Sequence, residues 1–195
     1  MESARPKDEK ALVRRVRAGD EEACREFFER FRGLAYAIAM GIVGRDADAM
    51  DVVQEAFLKA FRSIGRFEGR SSLGTWFRRI VTNAGLDALR ARRGKEMFEA
   101  SEELETMVPP RSRNERSPDD EAQGRELARL VEEAMRGLPE PQRVVLTLVT
   151  QAGLSYAQTA QSLGVPVGTV MSRLFYARQA LREALRGKGY FEEES

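Results

Sequence analysis

Residues 46–64, DADAMDVVQEAFLKAFRSI, repeat carboxylates at three- and four-residue steps: Asp48, Asp51 and Glu55. On a helix that spacing gathers them on one face, where paired carboxylates could hold a divalent cation or exchange a proton with a substrate. Side chains fixed on one straight helix rarely enclose a metal without ligands from elsewhere. No histidine, glycine-rich phosphate loop or second carboxylate motif is present to help, which argues against a metal-dependent hydrolase. Leu58 stands among the acids, with Gln54 at their edge. An acidic face bearing one apolar knob suits protein docking, although a plain solvated face has the same composition.

Two further stretches suit nucleic acid. Projected as a helix, WFRRIVTNAGLDALRARR buries Phe77, Ile80, Val81, Ala84 and Ala88 and lines up Arg79, Thr82, Asn83, Arg90 and Arg93 on the other side. A basic stripe with an embedded amide, beside Trp76 and the loop GRFEGRSSLGT, fits a single strand. Rings stack on bases, amides read their edges and arginines follow the backbone. The other stretch is GVPVGTVMSRLFYARQAL, in which Val167, Val170, Leu174, Ala177 and Leu181, continued by Leu185, share one helix face. Met171, Ser172, Phe175, Tyr176 and Gln179 fall opposite, flanked by Arg173 and Arg178. Rings turned outward expect a large partner. A DNA major groove accepts a helix, offering thymine methyls and base edges to the face and phosphates to the flanking arginines. The alternative is a face buried against another domain.

Helices must hold all of these residues, and helical periodicity dominates with no alternating strand pattern. A first helix is expected over roughly Asp8–Ala18, ending at Gly19, and Asp20 can cap a second that carries Phe27, Phe28, Phe31, Leu34, Ala35, Ile38 and Ile42. A third spans about Asp46–Ile64 and a fourth Trp76 to about Arg93. The stretch EMFEASEELETMVPPRSRNERSPDDEAQG, rich in charge and carrying three prolines, reads as a flexible linker. Helical pattern resumes near Glu121 with Leu127, Leu130, Val131, Ala134 and Leu138, and again after Pro139 with Val144, Val145 and Leu148. Ser155 and Gln158 form a capping box, Gly164 suits a left-handed helix end, and Pro166 suits the next first turn. Two helices so tightly joined, the second longer, make a helix-turn-helix. The expected fold is all-α, with two small helical domains, 1–95 and 122–188, joined by a flexible linker at 96–121 and followed by a tail at 189–195.

Composition bounds the function. The net charge of +1 hides segregation: six basic residues against Asp87 between Trp76 and Lys95, then five glutamates and no base from Glu96 to Met107. Such segregation can mark an anionic partner or merely two solvated faces. Cys24 is the single cysteine, so a disulfide within the chain is impossible, and a Cys/His zinc site has no ligand set. No metal or other cofactor is expected. No apolar run approaches membrane-spanning length, and MESARPKDEKALVRRVRAGDEE lacks the apolar segment of a signal peptide. The chain reads as cytoplasmic, without membrane insertion.

Three motifs in order, DVVQEAFLKAF, FEGRSSLGTWFRRIVTNAGLDALR and LPEPQRVVLTLVTQAGLSYAQTAQSLGVPVGTVMSRLFYARQAL, resemble the extracytoplasmic-function group of bacterial sigma factors. The likeness covers nearly the whole chain apart from linker and tail. It implies a dissociable, non-enzymatic specificity subunit of RNA polymerase, with domains corresponding to sigma regions 2 and 4. Core polymerase would be met at its β′ clamp helices by Asp51, Gln54 and Glu55, with Leu58 on the same face. The −10 element would be opened by the loop carrying Gly69, Arg70, Ser71, Ser72 and Leu73 and by Trp76, Arg79, Asn83 and Arg90. The −35 element would be read by Thr169, Met171, Ser172, Arg173, Phe175, Tyr176 and Arg178. Promoter DNA, core polymerase and an anti-sigma factor are the implied partners. A stand-alone helix-turn-helix regulator would explain residues 155–187 but leave the acidic helix, the loop and the basic stripe without work. Relatives often carry basic residues where this chain has Met171 and Tyr176, and neither can pair bidentately with guanine, so an altered −35 preference is expected. About 26 flexible linker residues span about 28 Å root-mean-square and stretch to about 85 Å. Two DNA turns run about 70 Å. The linker therefore permits promoter spacing but cannot set it, which leaves that task to core polymerase.

Overall fold

The computed structural model describes residues 6–99 and 121–188, and every regular element among them is helical. In the first domain α1 spans Pro6–Arg17, α2 Glu21–Val43, α3 Asp46–Ser63 and α4 Leu73–Glu99, with a 3-10 turn at Ile64–Arg66. In the second, α5 spans Glu121–Arg136, α6 Glu140–Thr150, α7 Tyr156–Leu163 and α8 Val167–Arg186. Of the expected linker, the first residues continue α4 and the last begins α5; residues 100–120 and the tail 189–195 lie outside the described residues.

Capping chemistry sets several helix ends. The Asp20 carboxylate accepts the Ala23 N–H at 3.0 Å and so satisfies an orphan donor of α2. The Arg15 guanidinium at 2.7 Å and that N–H hold the Asp20 carboxyl below its usual range. At the other end of α2, Gly44 takes a left-handed φ of 75° and donates to the Met40 carbonyl. Ser155 and Gln158 form the reciprocal capping box, and Gly164 closes α7 at φ 65°.

Apolar residues at helical spacing on α2, α3 and α4 converge on Phe27, which lies 4.9 Å from Phe31, 5.2 Å from Phe77 and 5.8 Å from Phe57, ring centre to ring centre. Phe27 and Phe77 are completely buried, and losing either ring should cost about 3–5 kcal/mol. The second domain has its own core of Met135, Leu138, Val145, Leu146, Ala160, Val170, Leu174 and Ala177.

Helix α6 belongs to both cores. Val144 to Leu148 are five consecutive buried residues, which an ordinary amphipathic helix does not show. Val144 and Leu148 join the first domain's core, while Val145 and Leu146 join the second's. Gly41 on α2 makes room for this: a methyl there would fall 3.0 Å from Thr147 Cβ and overlap the threonine hydroxyl. The two domains are thus packed together through α6.

Some expectations are corrected. Helix α4 begins at Leu73 rather than Trp76, because Leu73 extends the Phe77, Val81 and Ala84 stripe backwards by one turn. Thr82, expected on the basic stripe, is buried at 4% exposure. Val167, expected in the core stripe of α8, is exposed at the helix's first position, where no neighbouring turn covers it.

Candidate nucleic-acid interface

The loop between the 3-10 turn and α4 is held at both ends by α1. Arg17 donates its Nε to the Ile64 carbonyl at 3.1 Å and its Nη2 to the Phe67 carbonyl. The Glu9 carboxylate accepts the Leu73 N–H at 3.2 Å, where α4 starts, and pairs with Arg30 at 3.5 Å. Gly69, at φ 72°, provides the left-handed turn between these anchors. Arg70, Ser71 and Ser72 are exposed on it. Arg70 pairs with Glu68 at 2.6 Å, and Ser72 Oγ accepts the Thr75 N–H at 3.1 Å as a cap on α4.

Leu73 was expected to meet DNA, and here the structure differs. Its side chain is fully buried in the core, so it anchors the loop and offers no surface to a ligand. Trp76 is half-buried and lies 5.4 Å from Phe67 at 52°, leaving part of the indole open beside the loop. Arg79 and Asn83 are exposed on the next two turns of the same helix. Arg90 is exposed too, pairing with Asp87 at 2.9 Å and donating to the Ser162 carbonyl of α7 at 3.0 Å. Loop, tryptophan, arginine and asparagine therefore form one continuous surface, whereas Arg90 turns toward the second domain.

On α8, Met171, Phe175 and Tyr176 are exposed by 55%, 65% and 56%, and the last two rings meet edge to face at 5.5 Å. Val170, Leu174 and Ala177 on the opposite face are buried, so the helix is seated in its domain and still presents its aromatic residues to solvent. A shallow groove runs beside them, bordered by Tyr156, Arg178, Arg182 and Arg186. Ser172 and Arg178 are exposed, while Thr169 and Arg173 are half-buried at the edges of the same helix. Ser172 Oγ donates to the Thr169 carbonyl at 3.1 Å, an interaction a base edge would have to replace.

Helix α3 presents a third surface. Asp51, Gln54, Glu55 and Leu58 are all exposed on it, with Leu58 at 43% and Met50 at 57%. Asp48 leaves that face to pair with Arg92 at 3.4 Å, and Glu55 pairs with Lys59 at 3.3 Å. No group of three potential metal ligands occurs among the described residues. Met50 and the positioning pair Glu9 and Arg17 escaped the sequence reading. A carboxylate 64 residues before the amide it accepts leaves no local pattern.

A chain whose described elements are all helical, and whose second domain presents a seated helix-turn-helix with an outward aromatic face, is built as a DNA-binding protein. Residues 27–95 match the family model for sigma-70 region 2, and residues 128–181 that for sigma-70 region 4. The ECF RNA polymerase sigma-E factor of Haemophilus influenzae is 36% identical over 181 residues, covering 91% of this chain and 95% of that protein. The RNA polymerase sigma-H factor of Pseudomonas aeruginosa is 35% identical over 178 residues, covering 90% and 92%. Among solved structures, the sigma factor RpoE of Bartonella quintana, crystallised with the anti-sigma factor NepR, matches with a TM-score of 0.52 and 25% identity over 83% of this chain and 98% of that one. The chain belongs to the sigma-70 family, in its extracytoplasmic-function (ECF) group, and its role is that of a sigma factor.

Proposed function

We propose that this protein binds core RNA polymerase through α3, opens the −10 element with the loop and α4, and reads the −35 element with α8. Asp51, Gln54, Glu55 and Leu58 would dock on the polymerase clamp, carboxylates at the rim and leucine at the centre. Gly69 to Ser72, Trp76, Arg79 and Asn83 would take the separated strand, with Arg90 joining once released from Ser162. Thr169, Met171, Ser172, Arg173, Phe175, Tyr176 and Arg178 would enter the major groove.

The mechanism needs no chemical step. Melting a duplex costs about 1.4 kcal/mol per base-pair step. A protein without a nucleotide-driven motor meets that cost by holding the open strand more tightly than the closed duplex. Loop, Trp76 and Asn83 supply contacts that only an unpaired base can use, and Arg79 supplies one to the backbone. The relatives bear sigma-factor names, and we assign this chain no catalysis and no cofactor. Its place of action is the cytoplasm, where the polymerase works; no helix among the described residues is long and apolar enough to cross a membrane. An anti-sigma factor is a further partner, by analogy with the Bartonella complex.

The observation that carries this proposal is the coexistence of three exposed surfaces, on α3, α4 and α8, in one chain. A stand-alone regulator uses only the last. Capture of purified core polymerase by the immobilised protein tests the difference. Stoichiometric capture supports the proposal, and its absence with folded protein returns the chain to the regulator class.

A further inference from the structure

Helix α1 lies outside the residues matched to sigma-70 region 2, which begin at Phe27, so the family match assigns it no role. Its apolar side is ordinary: Leu12, Val13 and Val16 are buried in the first domain's core. Its polar contacts are not. They reach 47 to 64 residues along the chain and meet the loop before α4, one at each end. At the loop's start the Arg17 guanidinium donates to the carbonyls of Ile64 and Phe67, where the helical run begun by α3 ends and a cation is favoured. At its finish the Glu9 carboxylate accepts the N–H of Leu73, an orphan donor in the first turn of α4. An anion is favoured at that terminus, and Arg30 holds the second Glu9 oxygen at 3.5 Å. Each end is thus capped from α1 by a side chain of the sign its helix terminus favours.

We infer that α1 is a clasp that pre-orders the loop for strand capture, with Arg17 and Glu9 as positioning residues that meet no base themselves. Between the anchors stand Glu68, Gly69, Arg70, Ser71 and Ser72, all exposed. Their hydrogen bonds and ion pairs go only to one another and to the first turn of α4. The order of the loop therefore depends on its ends. A strand that had to order those residues itself would bind more weakly, because each one fixed costs conformational entropy. The inference rests on the strand-binding role proposed for the loop, which the parent protein's own affinity tests separately. The sign of the effect at Glu9 is decisive. Charge alone predicts that deleting a carboxylate and freeing Arg30 strengthens binding of a polyanion. Loss of a clasp predicts the opposite.

Three full-length variants are compared with the parent. Glu9→Ala removes the acceptor, Glu9→Gln keeps one for the Leu73 N–H, and Arg17→Lys keeps the charge but exchanges the planar fork for a single ammonium. Trp76, the only tryptophan, lies 5.4 Å from Phe67 and reports the loop through acrylamide quenching. Anisotropy reads binding of a fluorescent dT20 strand and of a −35 duplex, well below each variant's melting temperature. Glu9→Ala and Arg17→Lys should open Trp76 to the quencher. Both should weaken dT20 binding up to about tenfold, as for a competent fraction falling from nearly one to about a tenth. Glu9→Gln should recover most of the parental affinity, and duplex affinity should hold in all three, since α8 is untouched. Lower melting temperatures with parental dT20 affinity would mean a folding role only and would overturn the inference. So would tighter dT20 binding by Glu9→Ala, a Glu9→Gln protein as weak as Glu9→Ala, or a parallel loss of duplex affinity. If the parent itself binds no dT20, the strand-binding role fails and the clasp's purpose with it.

Discussion

Replacing Phe175 by Ala separates a DNA-reading ring from a structural one. The residue is 65% exposed and rests edge-on against Tyr176. A fully buried phenylalanine removes about 200 Å² from water. The covered third is then about 70 Å², worth about 1.7 kcal/mol at about 25 cal/mol/Å². Alanine returns a few tenths of a kcal/mol through helix propensity, so folding should lose about 1 kcal/mol. Phe77→Ala, at a fully buried position, provides the contrast at about 3–5 kcal/mol. Against a −35 duplex the open part of the Phe175 ring should contribute on the scale of one base contact. Affinity should then fall by about 1–3 kcal/mol, or about 5- to 150-fold. Thermal melting followed by circular dichroism gives the first number and fluorescence anisotropy on duplex DNA the second. A Phe175→Ala protein that melts as early as Phe77→Ala, yet binds the duplex normally while folded, would refute the groove assignment.

Met171→Arg should tighten −35 binding and steepen its salt dependence, since it adds one cationic contact; an unchanged slope in a salt titration would argue that position 171 does not face DNA. Asn83→Ala should impair opening more than duplex binding, measured by permanganate reactivity of melted thymines, and a loss confined to duplex affinity would contradict its strand-reading role. Leu58→Arg, or Asp51 and Glu55 both changed to Lys, should weaken core-polymerase capture without loss of helicity; parental affinity in both would exclude α3 as the docking face. Tyr36 donates to Asp46 at 2.6 Å, and burial together with that bond pushes its pKa up to about 12. Because folding favours the neutral phenol, its stabilisation is present below the unfolded value near 10 and disappears as pH climbs to about 12. Denaturant midpoints should therefore fall over that window in the parent more steeply than in Tyr36→Phe, and parallel curves would remove the assigned cause.

Local chemistry made much of this legible. Ser155, Gln158 and Gly164 encode the first helix of the helix-turn-helix and its end, because caps are decided within a few residues. Phe175 and Tyr176 could be placed outward because the opposite stripe of Val170, Leu174 and Ala177 was continuous. Leu73 was misplaced because serine and glycine beside it signalled loop, while the helix begins within that signal. Thr82 shows the converse problem: a small polar residue reads as surface, yet it is buried in α4 with its hydroxyl unpaired. The domain contact was least legible. Thr147 and Gly41 lie 106 positions apart in sequence, and only the crowding of Val144, Val145, Leu146 and Leu148 around Thr147 hinted that α6 is covered on more than one side.

Run-off transcription with purified core polymerase on a small promoter library tests the central claim most directly. Defined transcripts are expected from a subset of promoters when this protein is added and none with core alone. Scrambling the −10 or the −35 element of a responding promoter should abolish the product. No transcript from any promoter, although the protein is folded and captured by core, would contradict it, as would transcription indifferent to both elements.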